Sequence, residues 1–287
     1  MPELVFDPLG RRHVLLAPER ARRGAPSVET FPTDPEPCDF CGGQEHKTPP
    51  ETYAVRDEGP PDSGGWRVRV VPNLYPATPF HEVVVHTPDH YVHFEEQDLA
   101  HRMDIIRTYR ARIRAAPTRS VMAVWNRGRA AGASRSHGHG QLFGIDELPT
   151  VEREVVAFEG DACVLCDLAR DDLVVAECGA FRIVAHPVPF VAGELLVIPP
   201  HSLLLDDDQI EDAAEALAVA VRATLRDLGS AVPFNLIAHV APRGVERFHW
   251  HAHLMPRTAI WGGLELGAEL PIVAADPQDT ARRLRSS

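Results

Sequence analysis

CDFC at residues 38–41 and CVLC at 163–166 each present two thiols from one tight turn. Two thiolates so placed need two further donors to complete the tetrahedron that zinc prefers, and histidine commonly supplies them. The chain offers them twice, in the same order. Cys38 and Cys41 precede His90, which ends TPDH, and His137, which begins HGHGQ; Cys163 and Cys166 precede His201, which ends IPPH, and His249, which begins HWHAH. The interval from the middle histidine to the last cluster is 137 − 90 = 47 residues in the first series and 249 − 201 = 48 in the second. Either series alone would also fit unrelated cysteine turns and surface histidines, but the doubled order favours two zinc sites. One is Cys38, Cys41, His90 and His137, the other Cys163, Cys166, His201 and His249, and four protein ligands leave neither an open position, so both are read as structural. Cys178 is left over and reads as a small buried hydrophobe.

With His137 a ligand on a strand, His139 points to the same face two residues on. It is held beside a metal-anchored strand without being needed as a ligand, and a neutral imidazole so fixed is a competent nucleophile towards phosphorus. Gln141, next on that face, could donate a hydrogen bond to a phosphoryl oxygen, and Gly138 and Gly140 would allow a phosphate to come close.

Elements of matching type must position these residues. WRVRVVPN at 66–73 resembles FRIVAHPV at 181–188, and HEVVVHTPDH at 81–90 resembles GELLVIPPH at 193–201; each reads as a pair of strands bounded by proline. Helix-length amphipathic stretches follow, with Leu99, Met103, Ile106 and Ile113 on one face of the first and Ile210, Ala214, Leu217, Val221, Leu225 and Leu228 on one face of the second. SVMAVWN at 120–126 and VPFNLIAHV at 232–240 then lead to the histidine clusters on final strands. The expectation is an α+β fold of two duplicated halves, 1–155 and 156–287, with helices packed on an antiparallel sheet. Residues 42–65, rich in Pro, Gly and Asp, read as a mobile surface loop that the second half lacks. Trp66 and Phe181 read as core, and His81, His86 and His93 as ordinary packed or surface histidines.

The 287 residues and 44% hydrophobic content allow a sizeable core, and a formal net charge of −12 argues against a surface dominated by nucleic-acid or membrane attraction. The N-terminal stretch has no apolar h-region, and no run of about 18 apolar residues occurs, so a cytoplasmic protein with small-molecule partners is expected.

SRSHGHGQ resembles the active-site motif of the galactose-1-phosphate uridylyltransferase family, within the histidine triad superfamily, and the likeness extends over nearly the whole chain. The resemblance implies a nucleotidyltransferase in which His139 takes a nucleotidyl group from a nucleoside diphosphate sugar and passes it to a sugar 1-phosphate. It implies phosphate-binding arginines at Arg20 and Arg23 in HVLLAPERARR, further substrate contacts at Asn73 in VVPNLYP and at Asn126 and Ser134 in WNRGRAAGAS, and a sugar-gripping carboxylate at Glu265 in WGGLELGAELP. The basic and aromatic residues expected around that last segment are missing, which puts galactose 1-phosphate in doubt as acceptor. A phosphorylase or hydrolase, with phosphate or water as acceptor, is the alternative, and a related ADP-glucose phosphorylase-like branch shares the second CxxC arrangement. A non-catalytic zinc-stabilised nucleotide-binding module is the third reading. Family members that lack the second CxxC instead use a carboxylate and three histidines for a second metal; Glu154, His239, His251 and His253 would be that set here, competing with the cysteine set. HWHAH also makes His251 the counterpart of His139, either a second nucleophile or a relic of duplication. A homodimer stays open.

Overall fold

β-Branched runs bounded by proline and glycine become strands, and in the computed structural model, which describes residues 3–16 and 37–286, ten of them join one antiparallel sheet. The hairpin of β1 (Glu3–Asp7) and β2 (Arg12–Leu16) stands in a smaller sheet. The first half then supplies β3 (Tyr53–Arg56), β4 (Trp66–Pro72), β5 (Phe80–Val85), α1 (Leu99–Ala115), β6 (Ser120–Arg127) and β7 (His139–Ile145). After α2 (Pro149–Ala157) and α3 (Val164–Leu168) come β8 (Val174–Cys178), β9 (Phe181–Ala185), β10 (Leu195–Ile198), α4 (Ile210–Leu228), β11 (Phe234–His239) and β12 (His251–Pro256). Last are α5 (Gly263–Ala268), β13 (Ile272–Val273), which extends the small sheet beside β2, and α6 (Pro277–Ser286).

The large sheet runs β3-β4-β5-β7-β6-β11-β12-β10-β9-β8. Outward from the β6–β11 junction, each direction meets equivalent strands in the same order, so the duplicated halves expected from the sequence share one α+β sheet. The halves join by main-chain pairing, with Val124 opposite Ile237 and Ala123 opposite Ala238. Residue 155, the expected boundary, falls inside α2, whose Glu154 reaches strands of the second half.

Both long helices cover one face of the sheet. Asp98 caps α1 by accepting from His101 N–H at 2.8 Å, and Gly229, at φ 99°, ends α4. Between helices and sheet lies a continuous core: Ile105, Ile106 and Tyr109 of α1 and Ala213, Leu217 and Val221 of α4 against Val70, Val84, Trp125, Leu142, Leu236 and Leu254. Strand alternation then fixes what the other face carries. With Leu142 in the core, His139, Gln141 and Phe143 face away from the helices; with Ala252 and Leu254 in the core, so do His251 and His253.

Two expectations need correcting. A Cβ at Gly140 would run into Tyr109 Oη and Trp125 Cδ1, so this glycine serves the close approach of core aromatics rather than of a phosphate. Residues 42–65 are not an unstructured loop without a counterpart: they include edge strand β3, matched by β8 in the second half. Buried Arg69 ties the segment down, giving hydrogen bonds to Glu51 at 3.1 Å, Asp62 at 2.9 Å and Thr48 at 2.7 Å. Trp66 and Phe181 are core residues, as expected, 4% and 1% exposed. Among the described residues no helix is long and apolar enough to cross a membrane.

Candidate active site and metal clusters

The CDFC turn packs under the start of β7. Cys38 Sγ and Cys41 Sγ lie 3.8 and 3.7 Å from His137 Nδ1, and Cys41 Sγ lies 3.6 Å from His90 Nδ1. A tetrahedral zinc with ordinary bond lengths would separate sulfur and nitrogen by about 3.6 Å, so this set has the spacing of a four-coordinate metal site. The outer ring nitrogens are also engaged: His137 Nε2 donates to Thr87 O at 2.8 Å, and His90 Nε2 meets Ser136 Oγ at 3.2 Å. Such second contacts fix which nitrogen faces the cluster.

The second half repeats the geometry with one difference. Cys163 Sγ and Cys166 Sγ lie 3.3 and 3.7 Å from His249 Nδ1, whose Nε2 donates to Pro199 O at 2.9 Å. Partial burial and the neighbouring Cys163 push the Cys166 thiol up to about 11, so this thiol ionises readily only against a cation. His201 stands outside this group of three, although its ring centroid is 4.5 Å from that of His249. The connection is shorter here: His201 is 201 − 198 = 3 residues past β10, where His90 is 90 − 85 = 5 past β5.

Glu154, His239, His251 and His253 form a separate, fully buried group, so the two sets do not compete for one place. His239 Nδ1 lies 2.8 and 3.0 Å from the two Glu154 oxygens, and His251 Nε2 is 3.9 Å from Glu154 Oε1. Burial opposes charge on Glu154, yet the histidines, His239 first, hold its carboxyl down at about 2. Burial also lowers His251 to about 4 and holds His253 well below the usual imidazole range. Nε2 of His251 and of His253 are buried with no hydrogen-bond partner among the described residues, the state of imidazoles poised to accept a cation. His253 donates from Nδ1 to Glu194 Oε1 at 2.7 Å, a buried carboxylate that sequence reasoning missed.

His139 occupies a different setting. Its Nδ1 donates to His137 O at 2.7 Å, so the ring lone pair sits on Nε2, and the cluster that holds His137 holds that carbonyl. The ring is 8% exposed and lines a cleft of about 340 Å³ with Asn73, Ser134, Gln141, Lys47 and Arg135. Asn126 lies on the other side of His139, in a smaller pocket, accepting from Asn235 Nδ2 at 2.7 Å. The cleft therefore gathers an imidazole, amide and hydroxyl donors and two cations, a set suited to an anionic phosphoryl group. Arg135 and Lys47, which the sequence did not single out, share Asp39 at 3.0 and 4.0 Å.

Not every expected residue comes here. Arg20 and Arg23 lie outside the described residues. Glu265 lines another cleft, of about 530 Å³, beside Arg12, Arg153, Glu154, His239 and Trp261, and accepts from Gly262 N–H at 3.0 Å at the start of its own helix. His251, the counterpart of His139, keeps the same Nδ1 contact to the residue two before it, His249 O at 2.9 Å, but is 0% exposed and lines neither cleft. His81, read from sequence as an ordinary histidine, instead contacts Gln141 Oε1 through Nε2 at 2.7 Å.

No family model matches the chain. ADP-glucose phosphorylase of Arabidopsis thaliana is 29% identical, with 99% of this chain and 92% of that protein aligned. A crystal structure of an ADP-glucose phosphorylase from the same plant, with ADP-glucose bound, superposes with a TM-score of 0.88 over 100% of this chain and 99% of that one, at 29% identity. A GalT-like protein of Arabidopsis thaliana gives a TM-score of 0.85 at 28% identity, covering 99% and 98% of the two chains. A uridylyltransferase at 22% identity and a TM-score of 0.73 shares the fold.

Proposed function

We propose that the chain works as a member of the galactose-1-phosphate uridylyltransferase family, in the ADP-glucose phosphorylase branch that its relatives point to, and that it transfers the nucleotidyl group of a nucleotide sugar, ADP-glucose in the first instance, to inorganic phosphate. His139 Nε2 attacks the α-phosphorus, the bond to the sugar-phosphate oxygen breaks, and glucose 1-phosphate leaves. Phosphate then attacks the nucleotidyl-imidazole, releasing ADP and restoring the neutral ring. The leaving group is a stable anion, so no strong general acid is required. The observation that carries the proposal is the pairing of a tautomer-fixed His139 with Gln141, Ser134, Lys47 and Arg135 on one cleft.

Gln141 and Ser134 are the donors for the non-bridging oxygens, where charge gathers in the transition state. Asn73 supports the site through Gln141, to which its Nδ2 donates at 3.3 Å, and Asn126 lines the pocket behind His139. Arg20 and Arg23 remain the proposed phosphate contacts of the N-terminal segment. Nothing brings Glu265 to this cleft within one chain, which weighs against a dedicated hexose 1-phosphate grip there.

The donor sets of the two cysteine clusters fit zinc. Cys38, Cys41, His90 and His137 would hold one ion, and Cys163, Cys166 and His249, with His201 turned inward, a second; bound there, zinc supplies structural crosslinking and no open coordination position. Glu154, His239, His251 and His253 fit a further cation. Burial of His251 supports reading it as part of that cluster rather than as a nucleophile.

The test is intact mass after incubation with ADP-glucose, UDP-glucose and GDP-glucose in turn, followed by a chase. An adduct of one AMP discharged by phosphate supports the proposal; an adduct discharged only by a hexose 1-phosphate assigns the uridylyltransferase type of acceptor. No adduct with any donor would overturn the covalent mechanism.

A further inference from the structure

We propose that His81 is a positioning residue for nucleotidyl transfer: it fixes the Gln141 amide so that the NH2 group, and not the carbonyl oxygen, faces the phosphate at His139. This rests on the reading of His139 as nucleophile. The backbone N–H of Ala77 donates to His81 Nδ1 at 3.0 Å, and only an unprotonated nitrogen can accept, so the ring proton sits on Nε2. That Nε2–H lies 2.7 Å from Gln141 Oε1. Asn73 Oδ1 accepts from Tyr75 N–H at 2.8 Å, which turns Nδ2 towards the same Gln141 oxygen at 3.3 Å, side by side with His81 Nε2 at 3.1 Å. Two oriented donors converge on one oxygen. The Gln141 NH2 is thereby turned away from them, and Gln141 lines the cleft beside His139.

A flipped amide would aim an oxygen lone pair at an anionic phosphate and two N–H groups at two donors, so the flip is opposed at both ends. The His81 ring is held as firmly as its protons are, with its centroid 4.2 Å from that of Phe143 on the same strand face and only 8% exposure.

The second half shows the same junction put to another use. Val83 pairs with Gln141 across β5 and β7, and Leu196 pairs with His253 across β10 and β12. Two residues before Val83 is His81; two before Leu196 is Glu194, which accepts from His253 Nδ1 at 2.7 Å. The position therefore orients its cross-strand neighbour in both halves. A neutral N–H donor matches an amide over a phosphate, and a carboxylate matches an imidazole in a buried cluster.

Rapid-quench measurement of nucleotidyl-enzyme formation from ADP-glucose tests this with His81→Phe, His81→Gln, Gln141→Ala and the Phe–Ala double variant. His81→Phe keeps the ring stack and loses the donor; His81→Gln restores an N–H near the former Nε2. The expected result is a loss of about tenfold or more in the rate constant for His81→Phe with little change in substrate Kd, substantial recovery in His81→Gln, and no added loss when His81→Phe is made in Gln141→Ala. Equal rates for His81→Phe and the natural chain, or losses that multiply in the double variant, would overturn the role of His81 alone. A natural chain that forms no adduct overturns the nucleotidyl reading and this role with it. The ring-nitrogen NMR shifts of His81, expected to report an Nε2–H tautomer, check the orientation without activity; an Nδ1–H tautomer overturns it.

Discussion

His139 and His251 have the same backbone contact and opposite surroundings. Both donate Nδ1–H to the carbonyl two residues earlier, but one ring opens onto a cleft and the other is sealed among Glu154, His239 and His253. His139→Gly is accordingly expected to abolish adduct formation, with a loss of roughly 10³-fold or more in turnover, while circular dichroism and metal content stay unchanged. Sequence spacing set His137 and His139 on one strand face as expected ligand and nucleophile; in the fold β7 begins only at His139, and His137 stands just before it beside the cysteine turn. The spacing missed His81, since aligning HEVVV with GELLV sets Glu82 against Glu194, whereas the sheet register sets His81 there. Glu82 in fact faces the other way and pairs with Arg112 of α1 at 2.8 Å, and a one-residue slip exchanges the faces of a strand. Asp7 carries a separate expectation. Burial, opposed by Arg12, raises its carboxyl to about 6, so its contribution to stability is fully present below about 3.8 and is lost as pH rises through 6. Asp7→Asn should therefore gain on the natural chain between pH 4.5 and 7.5, by on the order of 1–2 kcal/mol in urea unfolding, after allowing for the lost Arg12 pairing. An equal offset at both pH values would contradict the assignment.

Each half holds its histidine strand between a helix layer and a cysteine turn. On the helix side the fit is tight at Gly140, where Tyr109 and Trp125 occupy the space of a side chain. Gly140→Ala is expected to cost about 1–3 kcal/mol by overpacking and to displace His139 and Gln141 on either side of it, so that turnover falls further than stability alone would require. A thermal melt at the natural temperature, with normal activity, would count against this. On the other side, Cys38 and Cys41 anchor His137, whose carbonyl in turn fixes His139. Cys38→Ser should remove one zinc per chain by metal analysis, lower Tm and slow adduct formation. On the proposed zinc reading, Cys163→Ser should remove a different ion and lower Tm with a smaller effect on adduct formation, because its strand leads to His251, which lines neither cleft. Zinc-finger peptides gain about 10–16 kcal/mol of apparent binding energy from such sites, an upper bound for a domain with its own core. The strand pairs, both long helices and the CxxC turns were legible because periodicity and proline boundaries mark them. The edge strands β3 and β8 were not, since four- and five-residue runs next to Pro- and Gly-rich segments owe their pairing to neighbours such as Arg69 rather than to their own pattern.

One sheet built of two equivalent halves raises a question of stoichiometry that belongs to the whole molecule. The β6–β11 junction gives the two halves continuous main-chain bonding and a shared core, so neither half offers its inner edge to a second copy. If both halves had kept the chemistry, the chain would take up two nucleotidyl groups. The residues argue for one. In the first half Gln141 follows His139, the proposed nucleophile, on a cleft; in the second the corresponding residue is His253, committed to Glu194 and the buried cluster, and the counterpart of His139, His251, lines neither cleft. Saturating ADP-glucose should therefore produce a single adduct of one AMP per chain, and peptide mapping should place it on His139. His251→Asn should still form that adduct. It is expected instead to disturb the Glu154 cluster, lowering Tm and any metal held there, because an unfilled site leaves buried Glu154 short of compensating donors. Two adducts per chain, or labelling on His251, would reverse the assignment and make the duplication a doubled catalyst rather than a division of labour between one catalytic and one stabilising half.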